Sequence, residues 1–394
     1  DSSAYSVVRR QLVQDWARAH PEVAVDDQSV TQEDFFNDMF KTALAVGDVP
    51  DIVMTSGAGN MRAYVENRVF VDLEPALAAD SSWSSSFTQG SFDNWHFAGI
   101  TGIYGIPQEV TFIGLFCNEA LFKKLGVALS ATVEDFEKAS ALMLARGVSP
   151  MLLGEKDKWR GSYLFTNLAM KALGGDVALR LARRQISWTD AGVVSLLALL
   201  SSWNRQGFLG ANPVLHDYEE EKAAFLRGET AMIMDGNGLL GELRQSRIAT
   251  SVTFIPFPSF RSRPDLRELW MGGGSSAFSI TSPPGPRRDA ALSLVKWCTS
   301  GESFQKISAA IGGGILPVRL APDSTTESPI SRRYREVTGT AAGAGTELSL
   351  YDPLARVNET ARAEIQGLFA GNSPGSAAAA IQQEIDDSRT QGLP

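Results

Sequence analysis

Three carboxylates, Glu109, Glu155 and Asp235, sit beside loop and strand positions where acids do chemistry. A pair of them at the right separation would serve a glycoside hydrolase as acid and nucleophile. The same groups accept hydrogen bonds from sugar hydroxyls without any reaction. Spacing along the chain does not choose between the two. Other catalytic machinery is harder to assemble. The 3 histidines, His20, His96 and His216, are scattered, and a triad or a multi-histidine metal site would need them to converge. Walker A and H-E-x-x-H patterns are absent from the sequence. One literal G-x-G-x-x-G spans Gly236 to Gly241, after an expected strand and before an expected helix. A dinucleotide site also needs an acid at the end of the next strand, and that strand ends Pro256-Phe257-Pro258-Ser259. These patterns lead to no expected catalytic, metal or cofactor machinery, and whether the three carboxylates react with a sugar or only bind it stays open on the residues alone.

Composition narrows the class further. At 394 residues, with 44% hydrophobic and 21% charged residues, the chain has the make-up of a folded globular protein of two or three domains. A net charge of −9 and the lack of a basic run of five or six residues argue against nucleic acid and against a polybasic membrane patch. No apolar run reaches the ~18 residues of a membrane span. Cys117 and Cys298 lie in apolar runs and read as buried thiols, with a disulfide as the alternative.

The elements that must position those residues alternate between helix and strand. Ser6 to His20 places Val8, Leu12, Trp16 and Ala19 on one helical face, and Pro21 ends it. Val23 to Val25 reads as a short strand, Gln32 to Val46 as a helix stopped by Gly47, and Ile52 to Met54 as the next strand. Val110 to Phe116 is a buried strand by its β-branched and aromatic content. Asn118 then opens a helix that Gly126 stops. Further helices are expected over Thr132–Arg146, after Tyr163, over Thr189–Arg205, Glu219–Arg227, Ala290–Cys298, Pro353–Phe369 and Pro374–Asp387. Strands are expected at Ser149–Leu153, Val252–Phe257 and Ala277–Ile280. This order is that of a doubly wound α/β protein, whose ligands sit at the carboxyl ends of strands.

The stretch Tyr104 to Gly126, YGIPQEVTFIGLFCNEALFKKLG, resembles the hinge-crossing segment of the extracellular solute-binding proteins of ABC transporters, the family of maltose-binding protein. Cys117 replaces the usual aromatic before the asparagine. The likeness continues through His20-Pro21-Glu22-Val23, Ala43 to Asp51, Val69 to Leu73, Trp159 to Gly175, Gly228 to Gly236 and Gly312 to Val318, in the family's order. Where many sugar binders carry a tryptophan, this chain has Gly238.

The resemblance implies an α/β, two-lobed periplasmic-binding-protein fold of the Venus-flytrap type, each lobe a mixed sheet flanked by helices. It implies lobes of residues 1–110 plus 255–312 and 111–254 plus 313–394, with hinge crossings near 108–117, 252–260 and 298–317. It implies capture of a sugar or oligosaccharide between lobes by hinge closure, and delivery to a membrane ABC permease by a monomer outside the cytoplasm. A lipid anchor upstream of Asp1 fits that role, and so does a first strand lost ahead of the opening helix. The ligand residues carried over are Glu109, Trp159, Tyr163, Trp270, Gly273, Gly274 and Tyr351, with Asn60, Asp235 and Asn237 as lesser candidates. Trp16, Trp188, Trp203 and Trp297 read as core instead. A binder of glycerol 3-phosphate or a glycerophosphodiester on the same fold is the alternative, with a glycoside hydrolase behind it. A phosphate would call for an arginine or a helix N-terminus, and the segment before Tyr351 carries Glu347 instead.

Overall fold

The computed structural model describes residues 4–29, 39–56, 59–88, 90–97, 99–321, 327–339, 343–348 and 351–390. Six strands run in chain order: β1 Ile52–Thr55, β2 Ile106–Asn118, β3 Met232–Asp235, β4 Val252–Pro256, β5 Leu269–Ile280 and β6 Gly343–Gly345. The chain divides into two compact units, one of Asp1–Thr111, Leu240–Glu242 and Gly273–Ser328, the other of Phe112–Leu239, Leu243–Gly272 and Pro329–Pro394. It passes from one unit to the other inside β2 and inside β5.

In the first unit β1 pairs antiparallel with the end of β5, Ile52 opposite Ile280 and Thr55 opposite Ala277. One core gathers Leu12, Trp83, Phe87, Phe278, Val295 and Phe304; a second gathers Phe40, Val53, Met61 and Phe70. The opening helix Ala4–Ala19 buries Leu12 and Trp16, as its spacing requires. Val23 to Val25 is not a strand: the residues are irregular, Ala24 exposed and Val23 and Val25 partly so, and they pair with no strand among the described residues. Of the expected helix over Gln32–Val46, residues 30–38 lie outside the described residues, and the helix is seen from Phe40 to Val46 with Gly47 in the left-handed conformation closing it.

In the second unit β2 is the central strand, paired antiparallel with β3 (Gly114 opposite Asp235) and with β4 (Gly114 opposite Pro256). Gly114 is required there, because a Cβ would stand 2.5 Å from the Ile255 carbonyl oxygen. Phe116, Phe254 and Tyr334 pack as one aromatic group, and the main core runs from Leu115 and Phe165 to Leu197, Trp203 and Ile365. The helix Glu119–Leu125 follows β2 as its sequence dictates: the Asn118 side chain accepts from the Leu121 N–H, and Gly126 closes the end at φ 59°.

Two strands differ from the sequence reading. β2 begins at Ile106, so Pro107, Gln108 and Glu109 are strand residues; a proline at the second position removes only a terminal ladder bond. β5 begins at Leu269, so the triple glycine lies within the strand rather than ahead of it. Ser149 to Leu153 contributes a single bridge, Ser149 to Thr230, instead of a strand. The unit boundaries also differ from the expected lobes. Residues 255–272 belong to the second unit, where Lys171 Nζ donates to the carbonyls of Leu266, Arg267 and Leu269. Residues 313–328 belong to the first, where Thr88 and Ser91 donate to the Pro317 carbonyl. Cys117 and Cys298 are free and buried, one in each unit. No helix among the described residues is long and apolar enough to cross a membrane.

Candidate functional site

The second unit builds its polar site at the start of the helix Arg160–Leu173. The loop before it turns on Lys158, which is left-handed at φ 66°. That turn returns the chain so that Glu155 lies under the helix start, where its Oε2 accepts the Gly161 N–H. A carboxyl group there satisfies one of the donors that every helix N-terminus leaves open. Glycine is required at 161, since a Cβ would lie 2.7 Å from Glu155 Oε1. Glu155 is fully buried, and burial pushes its pKa up to about 8 against the Gly161 N–H, which pulls the other way. At neutral pH it is mostly the uncharged acid.

Arg160, the first residue of that helix, is equally buried. Its Nε donates to Glu221 Oε2 at 2.9 Å and its Nη2 to Glu221 Oε1 at 2.5 Å. Glu221 also accepts the Gly154 N–H at 2.8 Å, so the pair meets the geometric conditions a buried ion pair needs. Nη2 donates to the Met234 carbonyl as well, which fixes the end of β3 next to Asp235. The guanidinium carbon lies 4.9 Å from the centre of the Trp159 ring and 5.1 Å from that of Tyr218. One cation thus holds two aromatic rings and the strand end that carries a carboxylate.

Around it the site side chains converge. Trp159 meets Tyr163 at 4.9 Å and 75°, and Tyr218 at 5.2 Å and 60°. The Tyr218 hydroxyl donates to Asp235 Oδ2 at 2.8 Å, and the Gly236 N–H donates to Asp235 Oδ1 at 2.7 Å. Burial raises the Tyr163 and Tyr218 phenol pKa values well above the ordinary range, so both are neutral donors at any physiological pH. Trp159, Tyr163 and Tyr218 each keep part of their surface open. Glu347 is taken up by Arg362, Nη2 to Oε2 at 3.0 Å. Tyr351, half-buried, packs against the unit's core. The arrangement offers apolar ring faces beside hydroxyl and carboxylate groups, which is what a pyranose with its C–H faces and hydroxyl rim needs.

The first unit places Glu109 differently. The Gln108 side chain is buried, and its Nε2 donates to Ser276 Oγ at 2.9 Å. Ser276 Oγ in turn donates to Glu109 Oε2 at 3.3 Å. The Tyr5 hydroxyl donates to the Gln108 carbonyl, and Arg9 lies over the Tyr5 ring at 4.6 Å. Asn94 Nδ2 donates to the Gly274 carbonyl at 2.6 Å, and a Cβ on Gly274 would meet the Ser91 carbonyl at 2.6 Å. Gly273, in the same strand, has φ 112°.

Of the ten expected ligand residues, Trp159, Tyr163 and Asp235 come together, and Glu109 stands in its own polar group. Trp270 does not belong with them. It is only 1% exposed, stacked 5.8 Å from Phe254 and edge-on to Phe112, so it is a core residue of the second unit. Asn237 is buried in the short turn after β3. Asn60 lies in the helix Gly59–Glu66, and its side chain falls outside the described residues. Arg160, Tyr218 and Glu221 were not anticipated. The signal available for Tyr218 was the capping box Asp217–Glu220, which sets Tyr218 as the first helical residue. Arg160 and Glu221 are far apart in sequence and only the fold pairs them. Among the described residues no group of three or more His, Cys, Asp or Glu side chains could hold a metal ion.

Two units, each pairing strands with helices, and crossings of the chain inside strands define a two-lobed binding-protein fold. The chain belongs to the bacterial extracellular solute-binding proteins, whose pattern it matches over residues 5–303. These are solute binders working outside the cytoplasm, not enzymes. It is similar to the multiple sugar-binding protein of Streptococcus mutans, 22% identical over 314 residues, which is 75% of this chain and 69% of that protein. Among solved structures, a chitin oligosaccharide binding protein is 20% identical with a TM-score of 0.87, over 98% of this chain and 95% of its own. A structure from work on xylan utilization by the thermophilic bacterium Caldanaerobius polysaccharolyticus is 22% identical with a TM-score of 0.86, over 96% of each chain.

Proposed function

We propose that this protein is the substrate-binding component of an ABC importer and that it captures a neutral sugar or oligosaccharide. The observation that carries the reading is the group at Arg160: half-open rings of Trp159, Tyr163 and Tyr218 next to the Asp235 carboxylate. The arginines there are committed, Arg160 to Glu221 and Arg362 to Glu347. A phosphorylated polyol would want a guanidinium for itself, so the charge arrangement favours a neutral ligand. Glu109, positioned through Ser276, is the first unit's ligand group in this reading, with Tyr351 the outlying ring of the second. The sugar binding in the name of the Streptococcus mutans relative supports the same class. The reading includes a monomer that hands its ligand to a membrane permease, and a lipid anchor on a residue upstream of Asp1.

Thermal shift against monosaccharides, oligosaccharides and glycerophosphodiesters tests it. A ligand at about 100 times its Kd adds about 2.7 kcal/mol of stability, an easily seen rise in Tm. A rise with a neutral sugar, lost in Trp159→Ala, is the expected result. A rise only with glycerol 3-phosphate or glycerophosphodiesters would overturn the ligand class, and no rise with any compound would overturn the sugar role.

A further inference from the structure

The ring geometry points to the size of the ligand unit recognised, an inference that rests on the sugar-binding reading above. We infer that the second unit grips a single pyranose, the terminal ring of whatever sugar is bound, and does not lay out a chain of rings along a flat aromatic strip.

Four observations carry this. The three half-open rings are not coplanar: Tyr163 stands at 75° to Trp159 and Tyr218 at 60° to it, with centres 4.9 and 5.2 Å away. A strip that stacks successive sugar rings needs platforms facing the same way, whereas inclined rings in contact make a corner that one ring fills. Second, Arg160 sits over Trp159 at 4.9 Å and lies 5.1 Å from the centre of Tyr218. Lys222 Nζ also lies over Tyr218, at 5.2 Å, so cations already cover ring surface that a strip of stacked sugars would need. Third, the carboxylate bonded to Tyr218, Asp235, meets the corner from the end of β3, so ring faces and hydroxyl acceptor serve the same sugar. Fourth, the ring that would extend a strip is missing or hidden. Gly238, just after β3, brings no side chain, with nothing within 4 Å of a Cβ placed there, and Trp270 is buried against Phe254 and Phe112. In the first unit the ring near Glu109, Tyr5, is buried as well. Tyr351 makes no ring contact with the corner.

The test is isothermal titration calorimetry of the full chain against chain-length series: glucose to maltotetraose, xylose to xylotetraose, and N-acetylglucosamine to chitotetraose, with galactose and raffinose added. In the series that binds, Kd should change by less than about threefold for each ring after the first. A gain of about threefold or more per added ring, accumulating to tenfold or beyond at the tetrasaccharide, overturns the single-ring inference while leaving the sugar-binding reading intact. Failure of every sugar overturns that reading, and the inference with it. Saturation-transfer NMR on the bound tetrasaccharide supplies a second readout that needs no variant. Saturation concentrated on one terminal ring is expected, and even saturation along the chain would overturn the inference. Placing Trp at Gly238 gives a third: G238W should create a length dependence absent from the parent, and a parent already showing that dependence counts against the single-ring corner.

Discussion

The polar groups of the two units are built on opposite plans. Around Glu109 the Tyr5 ring is buried, and a buried relay of neutral donors, Gln108 to Ser276, ends on the partly exposed Glu109 carboxylate. Around Arg160 the charges are buried and the aromatic rings are half-open. In the first case neutral side chains linked by hydrogen bonds position the carboxylate, with no buried charge to compensate. In the second an ion pair inside the protein fixes apolar faces that have little freedom left. A buried pair contributes little net stability, but removing one partner leaves an uncompensated charge. The second group should therefore be rigid and easily ruined, the first tolerant and graded.

The sharpest way to break that contrast is Arg160→Met. Leaving Glu221 buried and unpaired should cost about 3–5 kcal/mol in urea unfolding and abolish sugar binding. The double variant Arg160→Met, Glu221→Leu should recover most of the stability without recovering binding. If the single variant is as stable as the parent, the buried-ion account of the second unit is wrong. Next come the two tryptophans. Trp270→Ala, in the core, should lose about 3–5 kcal/mol of stability. Trp159→Ala should weaken sugar binding by about 2 kcal/mol or more while moving the urea midpoint far less. Reversed outcomes would exchange the roles of the two rings.

Acidity separates the units further. Glu155 has its pKa raised to about 8 from 4.5, so its favourable contribution is present below the unfolded value and is lost as pH rises through the folded one. Glu155→Gln should therefore become progressively more stable than the parent between about pH 4.5 and 8. The slope at most is about 1.4 kcal/mol per pH unit, levelling off above that range. Parallel stability–pH curves would show that Glu155 is not held as the acid. The smallest effect is expected at Glu109. Glu109→Gln should reduce affinity by about 1 kcal/mol and leave unfolding unchanged, as read by calorimetry.

Much of this was legible in the sequence, and the failures have physical reasons. The strand at Val110–Phe116 and the helix capped by Asn118 and Gly126 follow from β-branched content and from caps, both local properties. The helix face of Leu12 and Trp16 is local as well. Trp270 was misplaced because a tryptophan beside glycines looks exposed in sequence, while the strand geometry that turns it toward Phe254 is not local. Pro107 and the triple glycine read as breaks, yet neighbouring strands supply the order their own propensities lack. Arg160 illustrates the limit most clearly: its partner Glu221 is 61 residues away, and nothing in either neighbourhood announces the bond.

The two free thiols carry a consequence for watching this protein come apart. Cys117 sits in the second unit and Cys298 in the first, both buried, with burial raising the pKa of each and that of Cys298 to about 12. A disulfide reagent reacts with the thiolate, which neither site supplies in the folded state. Labelling of each cysteine then proceeds only when its own unit opens. Mass spectrometry of the two labelled peptides, followed over time without denaturant, is an internal clock for each half of the molecule, and sugar added to the solution should slow whichever half it holds shut.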